Sequence, residues 1–162
     1  MPVTIAPERI RELVLALFAR VPGSGLQGRT PAGERLLFVD RAYSPVSPAE
    51  IRRIAKANPL RTRPGAAVDE LTDCDDYALQ IKSVLTTLRR RRRHKPRAPD
   101  APPAIGIVIA ENHAVNAFVS ATPAGLKLAL MDASRSDRPI VTAPEDVAGL
   151  LLDQPAIRLV YF

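Results

Sequence analysis

The sequence has 162 residues, of which 46% are hydrophobic and 25% charged, as in an ordinary globular protein. Its length fits one domain, residues 1–162, with a single sizeable core. The longest apolar stretch near the N-terminus, Leu13–Ala19, is too short to span a bilayer and is not laid out as a secretory signal. We therefore predict a soluble protein without a transmembrane segment, either cytoplasmic or released without a signal peptide.

The net charge of +6 belongs to one local feature of the chain. Seven of the 23 Lys and Arg residues lie between Arg89 and Arg97, and the other 16 nearly balance the 17 acidic residues. Prolines follow, so a basic, Pro-rich loop is predicted at about residues 89–103. This stretch is either a solvated chain segment or, through Arg89–Arg93, a non-specific contact for anionic surfaces or nucleic acid.

The first half of the chain predicts helices. Apolar residues recur at helical spacing after Pro7, and Ser47 with Glu50 three residues later forms a capping box for a second helix. A third helix begins at Cys74 and fades into the arginine run. The predicted helices cover about residues 7–19, 48–56 and 74–88, with a strand at 35–40 between the first two.

The second half predicts a sheet. The apolar run at residues 104–110 is typical of a central strand covered on both faces. Strands at 113–119, 126–131 and 157–161 follow, with a short helix from Pro144 to about Leu152. Helices first and antiparallel strands later indicate an α+β fold, with the N-terminal helices packed on an antiparallel sheet.

Cys74 is the single cysteine, which excludes an internal disulfide and a cysteine-rich zinc site. It lies in the first turn of the third helix, where the helix dipole and free N–H groups favour a thiolate and can receive an oxyanion. The alternative is an inert, buried thiol, because free cysteine is among the most buried residue types.

The hairpin register supplies partners for this thiol. If Val119 lies opposite Leu126, the alternating row on one face of the hairpin ends with His113 opposite Asp132. A carboxylate that ends a row of leucines needs a polar partner, and His113 is that partner. The three residues then form a nucleophile (Cys74), a base (His113) and its orienting group (Asp132).

Four short motifs carry a resemblance to papain-like and transglutaminase-like cysteine proteases. They are Asp73–Ala78 (DCDDYA), Ala104–Gly106 (AIG), His113–Asn116 (HAVN) and Asp132, and they span under half of the chain. The pattern resembles most closely the C-terminal protease domain of the fairy-ring mushroom (Marasmius oreades) agglutinin and its bacterial relatives. The resemblance implies a papain-like (transglutaminase-like) fold.

Acidic residues flank the proposed thiolate and raise its pKa. A bound divalent cation removes this conflict, and the resemblance implies calcium at the two acids after the cysteine, Asp75 and Asp76. Calcium-dependent activity is therefore expected, although the thiol chemistry itself requires no cofactor.

The predicted function is a cysteine peptidase that acts on a protein or peptide substrate through Cys74, His113 and Asp132. Three alternatives stay open at this point. They are a transglutaminase or deamidase with the same triad, a binding module that uses the arginine-rich segment, and a catalytically dead relative that serves as an interaction domain.

Overall fold

A computed structural model describes residues 3–26, 35–57, 74–92, 101–135, 139–152 and 155–162. These residues form an α+β fold, as predicted. The helices are α1 (Pro7–Phe18), α2 (Pro48–Lys56), α3 (Cys74–Arg92) and α4 (Pro144–Leu150). The strands are β1 (Leu36–Leu37), β2 (Ile105–Ile109), β3 (Ala114–Thr122), β4 (Gly125–Met131), β5 (Ile140–Val141) and β6 (Leu159–Tyr161).

The six strands form one sheet in the order β1-β6-β2-β3-β4-β5. The prediction of a purely antiparallel sheet is wrong, because β1 pairs with β6 in parallel while the other pairs are antiparallel. β1 is also shorter than the predicted strand at 35–40. The backbone N–H of Asp40 donates to the Tyr43 hydroxyl (3.1 Å) instead of continuing the ladder.

Both faces of the sheet are covered by helices. α1 and α4 pack on one face of the sheet. This face carries Val115, Ala117 and the other strand side chains that point to the same side. α2 and α3 pack on the opposite face, which carries Ile105, Phe118 and Met131. The N-terminal helices therefore divide between the two faces.

Helix α2 begins as its capping box predicts. The Ser47 hydroxyl accepts a hydrogen bond from the backbone N–H of Glu50 (3.1 Å), which satisfies one of the unpaired donors at the helix start. The Glu50 side chain makes an ion pair with Arg89 of α3 (2.6 Å), which holds the two helices together.

The arginine run is only partly a surface feature. Residues 89–92 belong to α3 rather than to a loop, so that part of the predicted loop is wrong; residues 93–100 lie outside the described ranges. Arg89 is half-buried and also donates to the Ser44 hydroxyl (2.9 Å) and the Pro45 carbonyl (3.0 Å). The Arg89 guanidinium thus stabilises the fold, whereas Arg90 and Arg91 are exposed.

Among the helices of the described residues, none combines the length and the apolar character needed to cross a lipid bilayer. Helix α3 is the longest of them, with 19 residues, and its last four are arginines.

Candidate functional site

Cys74 is the first residue of α3 and lies against the start of β3. Its side chain is half-exposed, and its sulfur accepts a hydrogen bond from the backbone N–H of Ala114 (3.1 Å). Cys74, like Ile109, packs against a small buried apolar cluster of Ala78, Ile107 and Ala114, so the sulfur lies at the edge of this cluster. The contact with Ala114 holds the thiol at the surface. Ala114 directly follows His113 in the chain.

His113 and Asp132 form a buried pair behind this thiol. His113 Nε2 lies 2.8 Å from Asp132 Oδ2, and the two side chains are 7% and 1% exposed. The second carboxylate oxygen, Oδ1, accepts hydrogen bonds from the Ser134 backbone N–H (2.9 Å) and hydroxyl (2.6 Å). Because Nε2 is directed at Asp132, Nδ1 is the ring nitrogen left for Cys74.

The register that led to this pair was predicted two residues out of step. Val119 pairs with Leu128, not with Leu126, and the last pair of the ladder is Asn116 with Met131. The reason is the turn: β3 runs on to Thr122, which pairs with Gly125 across a two-residue turn. A shift of two residues keeps every side chain on its predicted face, so the row of apolar side chains could not reveal it.

Hydrogen bonding shifts the pKa of both members of the pair. The hydrogen bond with Asp132, and then the one with Cys74, outweigh burial and raise the pKa of His113 to about 9. Burial by itself raises the pKa of Asp132, but the hydrogen bonds from His113 and Ser134 and the imidazolium charge lower it below its ordinary value. At neutral pH the pair is therefore an imidazolium and a carboxylate.

The structure thus brings Cys74, His113 and Asp132 together, as predicted, while the roles assigned to them remain a prediction. Asp75 and Asp76 lie in the first turn of α3, half-exposed and exposed respectively, and Asp73 lies outside the described ranges. Within those ranges no three His, Cys, Asp or Glu side chains form a cluster that could hold a metal ion. Calcium at Asp75 and Asp76 accordingly stays a prediction.

Two contributors to this region carry no signal in the sequence pattern. The Ala114 N–H and the Ser134 side chain act through loop and backbone geometry, which periodicity does not report. Asn116, by contrast, tethers β3 to α3 through the Ala78 carbonyl (2.8 Å) and is no part of the Cys74 cluster.

Comparison with known proteins gives likeness in structure alone. No family model matches the sequence, and no curated protein matches it. Among solved structures, the fold is similar to that in a PSL1a–E64 complex, with a TM-score of 0.68 and 16% identity over 98% of this chain and 51% of the other. It is also similar to Polyporus squamosus lectin bound to the human-type influenza-binding epitope Neu5Acα2-6Galβ1-4GlcNAc, with a TM-score of 0.65 and 16% identity. This second match covers 98% of this chain and 49% of the lectin.

These neighbours correct the predicted identity. Both are structures of a lectin, and neither is described as a protease or as the protease domain of the fairy-ring mushroom agglutinin. The predictions of a cysteine peptidase and of an enzyme are therefore wrong. At 16% identity the likeness establishes the α+β fold, and the chain spans about half the length of each neighbour.

Proposed function

We propose that this chain is a non-catalytic binding module whose ligand site is the surface around Cys74. The lectin neighbours support a binding role, since one of them was solved with a sialylated trisaccharide. Carbohydrate is accordingly the ligand class that we propose. The site at Cys74 would bind the acidic sugar of that trisaccharide.

The observation that carries this proposal is the geometry at Cys74, whose half-exposed sulfur lies at the start of α3 beside the buried His113–Asp132 pair. The hydrogen bonds of His113 with Asp132 and then with Cys74 raise its pKa to about 9, so the imidazole is protonated at neutral pH. Asp132 binds the Nε2 side of the ring, so the remaining positive edge is directed toward Cys74. A carboxylate that approaches the half-exposed sulfur meets this fixed charge and the N–H groups at the start of α3.

The finer fold assignment, a papain-like arrangement, belongs to the same proposal. Its support is the arrangement of three residues. Cys74 begins α3 and contacts the start of β3, His113 directly precedes β3, and Asp132 follows the end of the neighbouring strand β4. A non-catalytic relative would keep these positions as a ligand site without turnover, which was one of the alternatives left open by the sequence.

Calorimetric titration with Neu5Acα2-6Galβ1-4GlcNAc and with its desialylated disaccharide tests the proposal. We expect the sialylated ligand to bind at least about tenfold more tightly, the equivalent of about 1.4 kcal/mol. Cys74→Trp fills the site and should abolish binding, whereas Thr87→Ala, an exposed change farther along the same helix, should leave binding unchanged.

Two results would contradict the proposal. One is equal binding of the two sugars, or none, by folded protein. The other is turnover of a peptide library by the native protein that Cys74→Ala abolishes, since a binding module has no turnover to lose.

A second candidate contact is electrostatic and uses Arg90 and Arg91, which are exposed at the end of α3. Arg89 is excluded from it by the Glu50 ion pair. Salt-dependent retention on heparin that falls in Arg90→Ala/Arg91→Ala, but not in Arg9→Ala, would support this contact. Retention that is independent of salt or of these arginines would contradict it.

A further inference from the structure

The outer edge of β1 has free backbone hydrogen-bonding groups. Bonds to the β6 segment use the carbonyls of Arg35 (2.7 Å) and Leu37 (2.9 Å) and the N–H of Val39 (3.4 Å). Backbone groups of successive strand residues point to opposite sides in the plane of the sheet, so those of Leu36 and Phe38 point to the outer edge. Within the part of the chain that the structure describes, no hydrogen bond satisfies these two N–H and two C=O groups. Such a row is a template for a further strand.

A cleft of about 570 Å³ follows this edge. It is lined by Pro7 and Glu8 at the start of α1 and by residues Leu36–Arg41. Leu37 and Val39, which share one face of the strand, are 47% and 63% exposed. The strand at the other end of the sheet, β5, has half-buried residues instead. The β1 edge therefore offers backbone groups and apolar contacts together.

The charged side chains of this cleft are two acids and one base. Glu8, Asp40 and Arg41 line the cleft and are exposed. In the ranges that the structure describes, neither Glu8 nor Asp40 makes an ion pair. The cleft is thus net acidic, which favours a basic group in whatever lies against it.

We propose that the β1 edge is a docking surface for an extended peptide segment of a partner protein, which adds a strand to the sheet beside β1. In this arrangement the backbone of the segment exchanges hydrogen bonds with Leu36 and Phe38, and its apolar side chains lie beside Leu37. A lysine or arginine of the segment lies at the acidic end, near Asp40. This mode of recognition obtains affinity from main-chain bonds and selectivity from alternate side chains. The inference is independent of the ligand site at Cys74.

A second copy of this chain is the less suitable occupant. Two-fold pairing of β1 with itself around Leu37 would bring Arg35 of one protomer toward Arg41 of its partner on both sides of the axis. Like charges that meet across a strand pair are destabilising, whereas a basic peptide meets the acidic groups of the cleft.

Titration of the isotope-labelled native protein with designed peptides, followed by amide NMR signals, tests the proposal. The probe is a capped nonapeptide of alternating valine and threonine with a lysine at each end. We expect saturable shifts and slower solvent exchange for the amides of Leu36 and Phe38, which exchange rapidly in the free protein. The same peptide with N-methylated backbone nitrogens should not bind, because it has lost its donors. A version with glutamate at each end should bind about threefold more weakly.

Variants assign the binding to this edge. Glu8→Gln/Asp40→Asn should bring the affinities of the lysine and glutamate peptides together, whereas Glu145→Gln, an exposed carboxylate of α4, should keep their difference. Leu37→Ser should weaken binding about fivefold, and Leu79→Ser, on a side chain of α3 that is 49% exposed, should leave it unchanged.

Three results would overturn the proposal. One is the absence of any peptide-induced shift at Leu36 and Phe38 in folded protein, and another is equal binding of the N-methylated peptide. The third is a dimer of the free protein in sedimentation equilibrium that Leu37→Ser dissociates, because the edge is then occupied by a second copy. None of these results affects sugar binding at Cys74, so this proposal and the proposed function fail separately.

Discussion

His113 and Asp132 are joined by a hydrogen bond of 2.8 Å although the hairpin does not place them opposite each other. Asn116 pairs with Met131, so continuing the ladder sets Val115 opposite Asp132 and leaves His113 two residues further along. Such a diagonal pair is separated by about 7 Å between Cβ atoms, a gap that an imidazole ring spans. The bond is therefore directional and depends on Ser134 to hold the carboxylate in place.

The first prediction is that this pair makes stability depend on pH. The pKa of His113 is raised above its unfolded value of 6.5, so its contribution is complete below about pH 6.5 and is lost as pH rises through about 9. Asp132→Asn should cost about 3 kcal/mol at pH 7, measured by urea unfolding, and this cost should shrink above pH 9. Because the pKa of Asp132 is lowered, the cost should also shrink as pH falls below about 4.

Ser134→Ala is the matched control for this prediction. It removes the hydroxyl hydrogen bond to the carboxylate but keeps the backbone N–H bond and the histidine bond, so it should cost about 1 kcal/mol and preserve the alkaline dependence. A cost of Asp132→Asn that is constant from pH 6 to pH 10 would contradict the imidazolium assignment.

The second prediction concerns Gly106 in β2. A Cβ atom at this position would lie 2.5 Å from the Tyr161 carbonyl oxygen and 2.7 Å from the Phe162 ring. Both belong to the terminal strand region, whose backbone cannot move aside without breaking the ladder, so Gly106→Ala should destabilise the fold by about 2 kcal/mol.

Gly149 provides the comparison, because a Cβ there meets no atom within 4 Å. Gly149→Ala lies in α4 and should stabilise the protein by about 0.5–1 kcal/mol through helix propensity. Thermal unfolding of the two variants separates them, and equal midpoints would show that the approach of β2 to the C-terminal strand is looser than described.

The third prediction divides the arginine run by burial. Arg89→Ala leaves the carboxylate of Glu50 half-buried without its partner and should destabilise the fold by about 2–3 kcal/mol. Arg90→Ala should cost less than about 0.5 kcal/mol, because it is an exposed change.

Arg9→Ala is the matched control, since it breaks an ion pair whose side chains are 54% and 63% exposed. Its expected cost is below about 1 kcal/mol. Chemical denaturation measures all three variants, and an Arg89→Ala cost no larger than that of Arg9→Ala would remove Arg89 from the contacts that hold α2 to α3.

How well the sequence predicts a feature of this structure depends on how far apart in the chain the interacting residues lie. The start of α2 at Ser47 and of α3 at Cys74 follow from residues a few positions apart, and both are confirmed. The parallel pairing of Leu36 with Val160 joins residues from opposite ends of the chain, which no local pattern reports. The alternation of side chains along a strand predicts the face of the sheet for His113 but not the length of the turn. The predicted pairing register therefore differs from the observed one by two residues.

The functional prediction failed for a different reason. Short motifs around Cys74, His113 and Asp132 do specify that these side chains meet, and they do. The same constellation, however, is compatible with a ligand site, and the charge state of His113 and the lectin neighbours appear only with the folded structure.

The most direct test of the central claim is the rate at which iodoacetamide alkylates Cys74 at pH 7 while Neu5Acα2-6Galβ1-4GlcNAc is titrated. The binding module predicts that the rate falls in a saturable manner with the sialylated sugar and far less with the desialylated disaccharide. An alkylation rate that neither sugar changes, in protein shown to be folded, would contradict a carbohydrate site at Cys74.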